Sequence, residues 1–458
     1  DGNKILFIEE LQSDWLEAGE KRGWKNSDDL IKAKGITNIF LAIPSVSRSR
    51  RKEIIESISK KSLKIQTIPN ITDIINGQVS ISDIRDFEIS DLLARDVVKP
   101  NYEMLVKNID SKTILVTGAG GSIGSELCRQ MINLKANKIL LLENNEFALY
   151  KIYSNLNNII KSNKDNLKIE IVSILGSVQD KDFLNKIFNN FKPNIVYHAA
   201  AFKHVTLVEN NLIESVKNNV FGTLNLLKAS VENKVSDFVL ISTDKAVRPT
   251  SVMGVTKRLS ELCLQAFYHH NSENLNATKM SMVRFGNALA SSGSVIPIFK
   301  KQIERGGPIT LTHKDVTRYF MTIAEAAQLV IQASSLAKGG DVFILDMGKP
   351  VKIIDLAKRM ITFSGLSIKN QDNLKGDIEI IEIGLFPGEK LYEELLLGDN
   401  PQPTAHPKIK RAEDPFVIWE QLEKNLKVLD NALRENNTEI TLEILEKTVA
   451  GYKSSLKN

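Results

Sequence analysis

The run KTILVTGAGGSIGSELCRQMINL, residues 112–134, passes from a short apolar strand through a glycine loop into a helix. Gly118, Gly121 and Gly124 stand in that loop at G-x-x-G-x-x-G spacing. Each has a physical use: Gly118 allows a tight turn, Gly121 lets the backbone approach a pyrophosphate, and Gly124 lets the helix close on the sheet. Ser122 and Ile123 open the helix, whose unpaired N–H groups would meet the diphosphate of a dinucleotide. A glycine-rich turn without a ligand is the alternative, and the flanking strands argue against it.

Downstream the strand-then-helix rhythm repeats. NKILLLENNEFALYKIYSNL gives a second strand ending at Glu143, and KIEIVSILGSV, PNIVYHAAAFKHV and DFVLISTDKAV give three more that end in loops. This alternation predicts an α/β fold with a doubly wound parallel sheet of the Rossmann type, whose ligands lie beyond the carboxyl ends of the strands. Glu143 follows the loop by about 20 residues, where a carboxylate can accept both ribose hydroxyls of NAD and repel a 2′-phosphate. Asn144 and the nearby Lys138 keep NADP open, and a plain loop carboxylate is the other reading of Glu143. Beyond residue 285 the pattern loosens, as a smaller C-terminal substrate lobe would. The expected division is a cofactor-binding part over 111–285, a substrate lobe from pieces of 286–400, and terminal helices over 411–458.

Upstream, residues 24–95 read as helix, strand, helix, strand, with NIFLAIP and KIQTIP as short apolar runs ending at Pro. They look like the back half of a partial Rossmann-like N-terminal domain over 1–95. Residues 1–23 are atypical and do not clearly supply its first strand and phosphate loop. Residues 96–110 read as a linker. The basic run SRSRRKE fits a solvated helix start better than a nucleic-acid patch.

The chain has 458 residues, 42% hydrophobic and 25% charged, with a net charge of +5 from 60 basic and 55 acidic side chains. That suits two or three globular domains. The charge balance is weak for a nucleic-acid-binding module. No apolar run reaches the roughly 18 residues of a membrane-spanning helix, and no signal-peptide pattern opens the chain. A cytoplasmic location is expected. Cys128 and Cys263 fall in separate predicted helices without metal spacing, so a reducing compartment and no metal are expected. The first residue is Asp rather than Met, so a fragment is the expectation.

Two further stretches carry chemistry. In HAAAFKHV, residues 198–205, the small Ala199, Ala200 and Ala201 let a cofactor lie against the backbone. Lys203 is then a phosphate or ribose contact, and His204 a less favoured base. In STDKAVRPTSVMGVTK, residues 242–257, Thr243, Asp244 and Lys245 stand at a strand end facing the cleft. Met253 and Lys257 share a helix face, from which Lys257 can reach the nicotinamide ribose. Nicotinamide-dependent sugar enzymes usually have Tyr where Met253 stands.

In order along the chain, TGAGGSIGSEL, HAAAFKHV, STDKAVRPTSVMGVTKR, RFGN, GSVIPIF, TRYFMTIAEA and PGEKLYEELL resemble the nucleotide-sugar 4,6-dehydratases of the polysaccharide-biosynthesis type. These belong to the extended short-chain dehydrogenase/reductase superfamily. The resemblance runs from about residue 111 to 416, and residues 24–110 resemble part of the domain found upstream in long members. Membrane association would come only through helices that such long members carry and this chain does not. The expected location is then the cytoplasmic face of the inner membrane.

The long branch carries Met where short relatives keep Tyr, so Met253 marks a branch rather than a loss. The resemblance implies NAD as cofactor, a UDP-sugar (UDP-N-acetylglucosamine) as substrate, retained C5 configuration and a homo-oligomer. Elimination of the C6 hydroxyl from a 4-keto sugar needs one acid and one base. Asp244 is the expected acid. Lys245 is the expected base, kept neutral by burial and by the Lys257 cation. Thr243 would hydrogen-bond the C4 oxygen. Asn287 and Arg318 resemble positions that hold the nucleotide diphosphate, and Glu389 and Lys390 resemble further nucleotide contacts. Arg284 is left between a structural ion pair and a ligand contact. An epimerase or reductase would need the missing Tyr, a C5-inverting dehydratase stays open, and a non-catalytic NAD-binding sensor would leave Asp244 and Lys245 idle.

Overall fold

The computed structural model describes residues 4–9, 36–42, 64–67, 85–86, 100–163, 168–272, 278–289, 291, 293–398 and 401–454. The chain divides into two compact units, one of residues 1–97, 294–316 and 351–384, the other of 98–293, 317–350 and 385–458. The pieces of 286–400 expected to form a substrate lobe are divided between the two units.

In the first unit, β1 (Lys4–Glu9), β2 (Ile36–Ala42) and β3 (Lys64–Thr67) run parallel in that order, and β4 (Arg85–Asp86) closes the edge antiparallel to β3. KILFIE thus supplies the edge strand that residues 1–23 did not clearly promise from sequence. The helices expected between these strands lie outside the described residues. Residues Ile309–Leu311, Ile378–Glu382 and Ile368–Lys369 form a small parallel sheet in the same unit.

The second unit is built on a nine-stranded sheet. Its strands are β5 (Thr113–Thr117), β6 (Lys138–Glu143), β7 (Glu170–Leu175), β8 (Ile195–His198), β9 (Asp237–Ile241), β10 (Lys279–Arg284), β11 (Asp341–Leu345), β12 (Gln402–Pro403) and β13 (Ile409–Ala412), in the order β12-β13-β11-β10-β9-β8-β5-β6-β7. The strands β5 to β11 pair in parallel, while β13 pairs antiparallel with β11, and β12 with β13. This is the expected doubly wound Rossmann sheet with an antiparallel edge. The chain runs β5, β6, β7 to one edge and returns to β8 on the other side of β5. The crevice of such a sheet opens at that switch point.

Alternate residues of each strand face opposite layers. Leu115, Leu140, Val196 and Phe238 enter one apolar core, and Ile114, Ile139, Tyr197 and Val239 the other. Helices α1 (Tyr102–Ile109), α2 (Ser122–Asn133), α3 (Glu146–Ser162) and α7 (Ile323–Ser335) cover the second core. The first core is covered by α4 (Lys181–Phe191), α5 (Gly222–Glu232), α6 (Val252–Asn271), α8 (Trp419–Arg434) and α9 (Thr438–Thr448). Helix α1 corrects the reading of 96–110 as a linker. Asn101 caps it by accepting from the Met104 amide, and Leu105 and Ile109, one turn apart, are buried. Among the described residues, no helix is long and apolar enough to cross a membrane.

Candidate active site

The glycine loop joins β5 to α2. Gly118 adopts φ 64°, and a Cβ there would lie 2.7 Å from the Ala200 amide nitrogen. The loop is thus held against the backbone after β8 as well as turned. A Cβ on Gly124 would lie 2.2 Å from the Gly118 carbonyl oxygen, so its small size serves the loop itself rather than contact with the sheet. Gly121 is the N-cap of α2 and offers no side-chain cap, and the first turn holds no acidic residue. Ser122 and Ile123 are the first residues of that turn. The positive end of α2 is therefore unneutralised, as an anion site needs.

A cavity of about 350 Å³ opens beside this loop. Gly118, Gly120, Gly121, Glu143, Asn144 and the Ala199–Ala201 backbone line it. A Cβ on Gly121 would meet only the Gly118 oxygen, at 3.2 Å, and would otherwise stand in open space. The cradle therefore fits a diphosphate at α2 and a nucleoside toward Glu143.

Gly120 escaped the sequence reading because it falls outside the triplet spacing. Its amide donates to Glu143 Oε2 at 3.0 Å, while Oε1 accepts from the Asn144 and Asn145 amides at 3.0 and 3.1 Å. A carboxylate has about four acceptor directions, so three backbone bonds leave room for about one ribose hydroxyl rather than the expected two. Lys138 is the other correction. It begins β6 while Glu143 ends it, and its ammonium pairs with Glu170 at 2.8 Å. A strand rises about 3.3 Å per residue, which puts Lys138 at the wrong end of the sheet to meet a 2′-phosphate.

A buried histidine braces the loop from behind. Thr223 Oγ1 donates to the Asn219 carbonyl at 2.6 Å, so it accepts from His198 Nε2 at 2.9 Å. Nδ1 then accepts from Thr117 Oγ1 at 2.7 Å, and Thr117 accepts from the Ala200 amide at 3.3 Å. Burial, then the Lys257 charge, lowers the His198 pKa to about 3, which keeps the ring in this neutral form.

Thr243, Asp244 and Lys245 follow β9 as expected. Asp244 is fully buried, its Oδ1 accepting from Thr243 Oγ1 at 2.9 Å and from Lys245 Nζ at 3.0 Å. Its Oδ2 has no hydrogen-bond partner. Lys245 Nζ also reaches Glu393 Oε1 at 3.2 Å and Asn287 Oδ1 at 3.3 Å. Both proton-transfer expectations change here. Asp244 presents no surface to a substrate, whereas the Lys245 side chain is 20% exposed. Burial disfavours the Lys245 charge, but Asp244 and Glu393 outweigh it and the nearby Arg318, so the pKa is raised. The lysine held toward neutrality is instead Lys257. Burial lowers its pKa to about 8, against the opposing pull of Glu261, and its Nζ donates to the Ile241 carbonyl at 2.8 Å.

The segment 386–397 brings the remaining groups together. Arg318 Nη2 donates to Glu389 Oε1 at 3.0 Å, Nη1 donates to the carbonyls of Thr317 and Leu391, and Nε lies 3.9 Å from Glu393 Oε1. In this state its guanidinium is engaged by protein carboxylates and carbonyls rather than aimed at a diphosphate. Lys390 Nζ donates to the Val247 carbonyl at 2.9 Å, tying the segment to the loop after β9. Glu393 was missed from sequence although it stands inside PGEKLYEELL. Its partner Lys245 is distant along the chain, and nothing in the local pattern separates it from Glu389 or Glu394.

Four other candidates lie apart from this cluster. Met253 is 3% exposed and belongs to the apolar core, so its thioether packs rather than faces the cluster. Lys203 and His204 are exposed after β8, and His204 N-caps a short helix with its ring against Gly293. Arg284 resolves to a structural ion pair. Its Nε and Nη2 donate to the two Glu261 oxygens at 2.7 and 2.6 Å, and Nη2 also meets Asp414 Oδ2 at 2.5 Å.

Residues 114–414 match the family model described as polysaccharide biosynthesis protein, and the chain belongs to that family. It is 46% identical over 391 residues to the capsular polysaccharide biosynthesis protein CapD of Staphylococcus aureus, covering 85% of this chain and 63% of that protein. The chain thus spans less than two thirds of that relative's length. Over 333 residues it is 30% identical to a UDP-N-acetylglucosamine 4,6-dehydratase (inverting) of Campylobacter jejuni, covering 72% of this chain and 90% of the relative. Among solved structures, Pen from Bacillus thuringiensis superposes with a TM-score of 0.55 at 33% identity, covering 63% of this chain and 83% of that one.

Proposed function

We propose that the chain is an NAD-dependent nucleotide-sugar 4,6-dehydratase acting on UDP-N-acetylglucosamine with retention at C5. The observation that carries this reading is a partly exposed Lys245 at the carboxyl end of β9, paired with the buried carboxylates of Asp244 and Glu393, in the same unit as a dinucleotide cradle. Similarity to the Campylobacter dehydratase supports the reaction class. Retention rests on Met253 standing in place of Tyr. When bound, NAD supplies a reversible hydride acceptor. Gly118, Gly120, Gly121 and the start of α2 would hold its diphosphate, Glu143 an adenosine ribose hydroxyl, and Lys257 the nicotinamide ribose.

This chain's own groups handle the protons. Thr243 hydrogen-bonds the C4 hydroxyl and passes its proton through water to solvent as C4 becomes a ketone. Lys245 carries a proton to give to the departing C6 oxygen, and the amine so formed takes the C5 proton, exchanges it with solvent, returns one to C5 and is re-protonated from solvent. The proton count of the elimination then closes on one nitrogen, and buried Asp244 and Glu393 stabilise its charged form. Incubation with UDP-N-acetylglucosamine in deuterated water tests the reading. Mass spectrometry should show loss of one water, and NMR a 4-keto-6-deoxy sugar with solvent deuterium at an unchanged C5. A C4 epimer without loss of water would replace it with the epimerase reading.

A further inference from the structure

We propose that Glu393 is a positioning residue that fixes the pose of Lys245 and keeps the proton on it. The geometry is specific. An ammonium has three N–H donors, and Lys245 Nζ donates to Asp244 Oδ1 at 3.0 Å and Asn287 Oδ1 at 3.3 Å and forms an ion pair with Glu393 Oε1 at 3.2 Å. A neutral amine has two N–H groups and a lone pair, so one of these contacts would set lone pair against oxygen. The arrangement is complete only for the charged form. Take Glu393 away and the third acceptor is lost together with one of the two carboxylates that balance the charge.

Glu393 is delivered to that position rather than arriving by chance. Its side chain is 3% exposed, in an irregular segment tied down on both sides. Thr250 Oγ1 donates to the Gly388 carbonyl at 2.9 Å, Lys390 to the Val247 carbonyl at 2.9 Å, and the Thr317 amide to the Leu391 carbonyl at 3.0 Å. Beyond Glu393, Arg248 pairs with Glu394 and donates to the Leu397 carbonyl. The charged groups around Lys245 are therefore Asp244, Glu393 and Arg318, with Lys390, Glu389 and Glu394 behind them. The raised pKa of Lys245, which burial opposes and the two carboxylates produce, agrees with the contacts.

The role in turnover rests on the dehydratase reading, but the ion pair does not, so the test reads Lys245 itself. Trace acetic anhydride across pH 7–11, with each lysine followed by peptide mass spectrometry, gives the titration midpoint of Lys245 in the folded protein. In the unaltered protein that midpoint should lie above those of the exposed lysines. A midpoint level with theirs or lower would overturn the proposal without any variant. In Glu393→Gln, which keeps the shape and removes the charge, the midpoint should fall by about one unit or more. Glu389→Gln, which removes the neighbouring carboxylate on Arg318, should leave it in place. An unmoved Lys245 in Glu393→Gln would overturn the proposal, and so would an equal fall in both variants, which would mean general loosening of the segment. Failure of the protein to dehydrate any UDP-sugar would sink the dehydratase reading and leave these titrations to decide the role of Glu393.

Discussion

Two buried charge clusters in the same unit carry similar side chains and are built differently. In one, Arg284 and Arg258 share Glu261 and Asp414 at 2.5–3.2 Å. In the other, Lys245 and Arg318 share Asp244, Glu393 and Glu389 at 3.0–3.9 Å. The first is closed. Both Glu261 oxygens have partners, Oε1 also accepting from Ser242 at 2.7 Å, and the unpartnered polar atom there is a donor, Arg284 Nη1. The second is open. Asp244 Oδ2 and Glu393 Oε2 are buried acceptors without partners, and Lys245 reaches the surface. A cluster whose carboxylates are taken up by buried guanidinium groups fixes structure, whereas one with unsatisfied acceptors behind a partly exposed cation has capacity to move a proton.

The largest effect expected from this contrast is on rate. Lys245→Ala should lower turnover of UDP-N-acetylglucosamine by about 10² to 10⁴, the usual worth of a proton-transfer group, while NAD binding measured by calorimetry persists. A variant with near-normal turnover would move the chemistry elsewhere, with the exposed His204 the next candidate. Arg284→Ala should do the reverse. It leaves Glu261 and Asp414 short of a partner and should cost about 3–5 kcal/mol in urea unfolding. Equal stability losses in the two variants would erase the distinction between the clusters.

Gly121→Val tests the cradle that the open cluster depends on. Its first side-chain atom sits 3.2 Å from the Gly118 oxygen and the rest stands in the cavity. NAD binding should be lost while the unfolding midpoint stays near that of the unaltered protein. A variant that binds NAD normally would remove the loop from the cofactor site.

A smaller effect separates the clusters by pH. Burial would raise the Glu261 pKa, but Arg284, Arg258 and Ser242 outweigh it and lower it from 4.5 to about 2. A carboxylate depressed on folding adds stability that is fully present above its unfolded pKa and is lost as pH falls through the folded one. Stability should therefore decline between pH 4.5 and about 2, and Glu261→Gln should flatten that part of the curve. An unchanged slope would mean that other carboxylates carry the acid transition. The smallest effect belongs to Met253→Tyr. Met253 packs in the core, so the added phenol should give no gain in turnover, and a marked gain would show that the helix face reaches the substrate after all.

What the sequence made legible follows the same division. The glycine loop, the strand rhythm and the strand-end position of Thr243, Asp244 and Lys245 are local patterns, and each forms where its pattern stands. The charge on Lys245 was not legible, because it depends on Glu393 arriving from a distant irregular segment. The role of Arg284 was open for the same reason: Glu261 lies on α6 and Asp414 beyond β13, and neither is marked as its partner by spacing. Helix α1 had a local signal, the Asn101 cap with Leu105 and Ile109 one turn apart, which a reading of residues 96–110 as linker passed over. Lys138 could have been placed by counting along β6, since it and Glu143 are the opposite ends of a six-residue strand.

On the dehydratase proposal, the open cluster eliminates water from a nucleotide sugar through Lys245. The most direct measurement is the NMR spectrum of the product formed from UDP-N-acetylglucosamine in deuterated water by the unaltered protein and by Lys245→Ala. A 4-keto-6-deoxy product with deuterium at a retained C5 is expected from the first, and neither product nor exchange from the second. Full C5 exchange and product formation by the Lys245→Ala protein would contradict it.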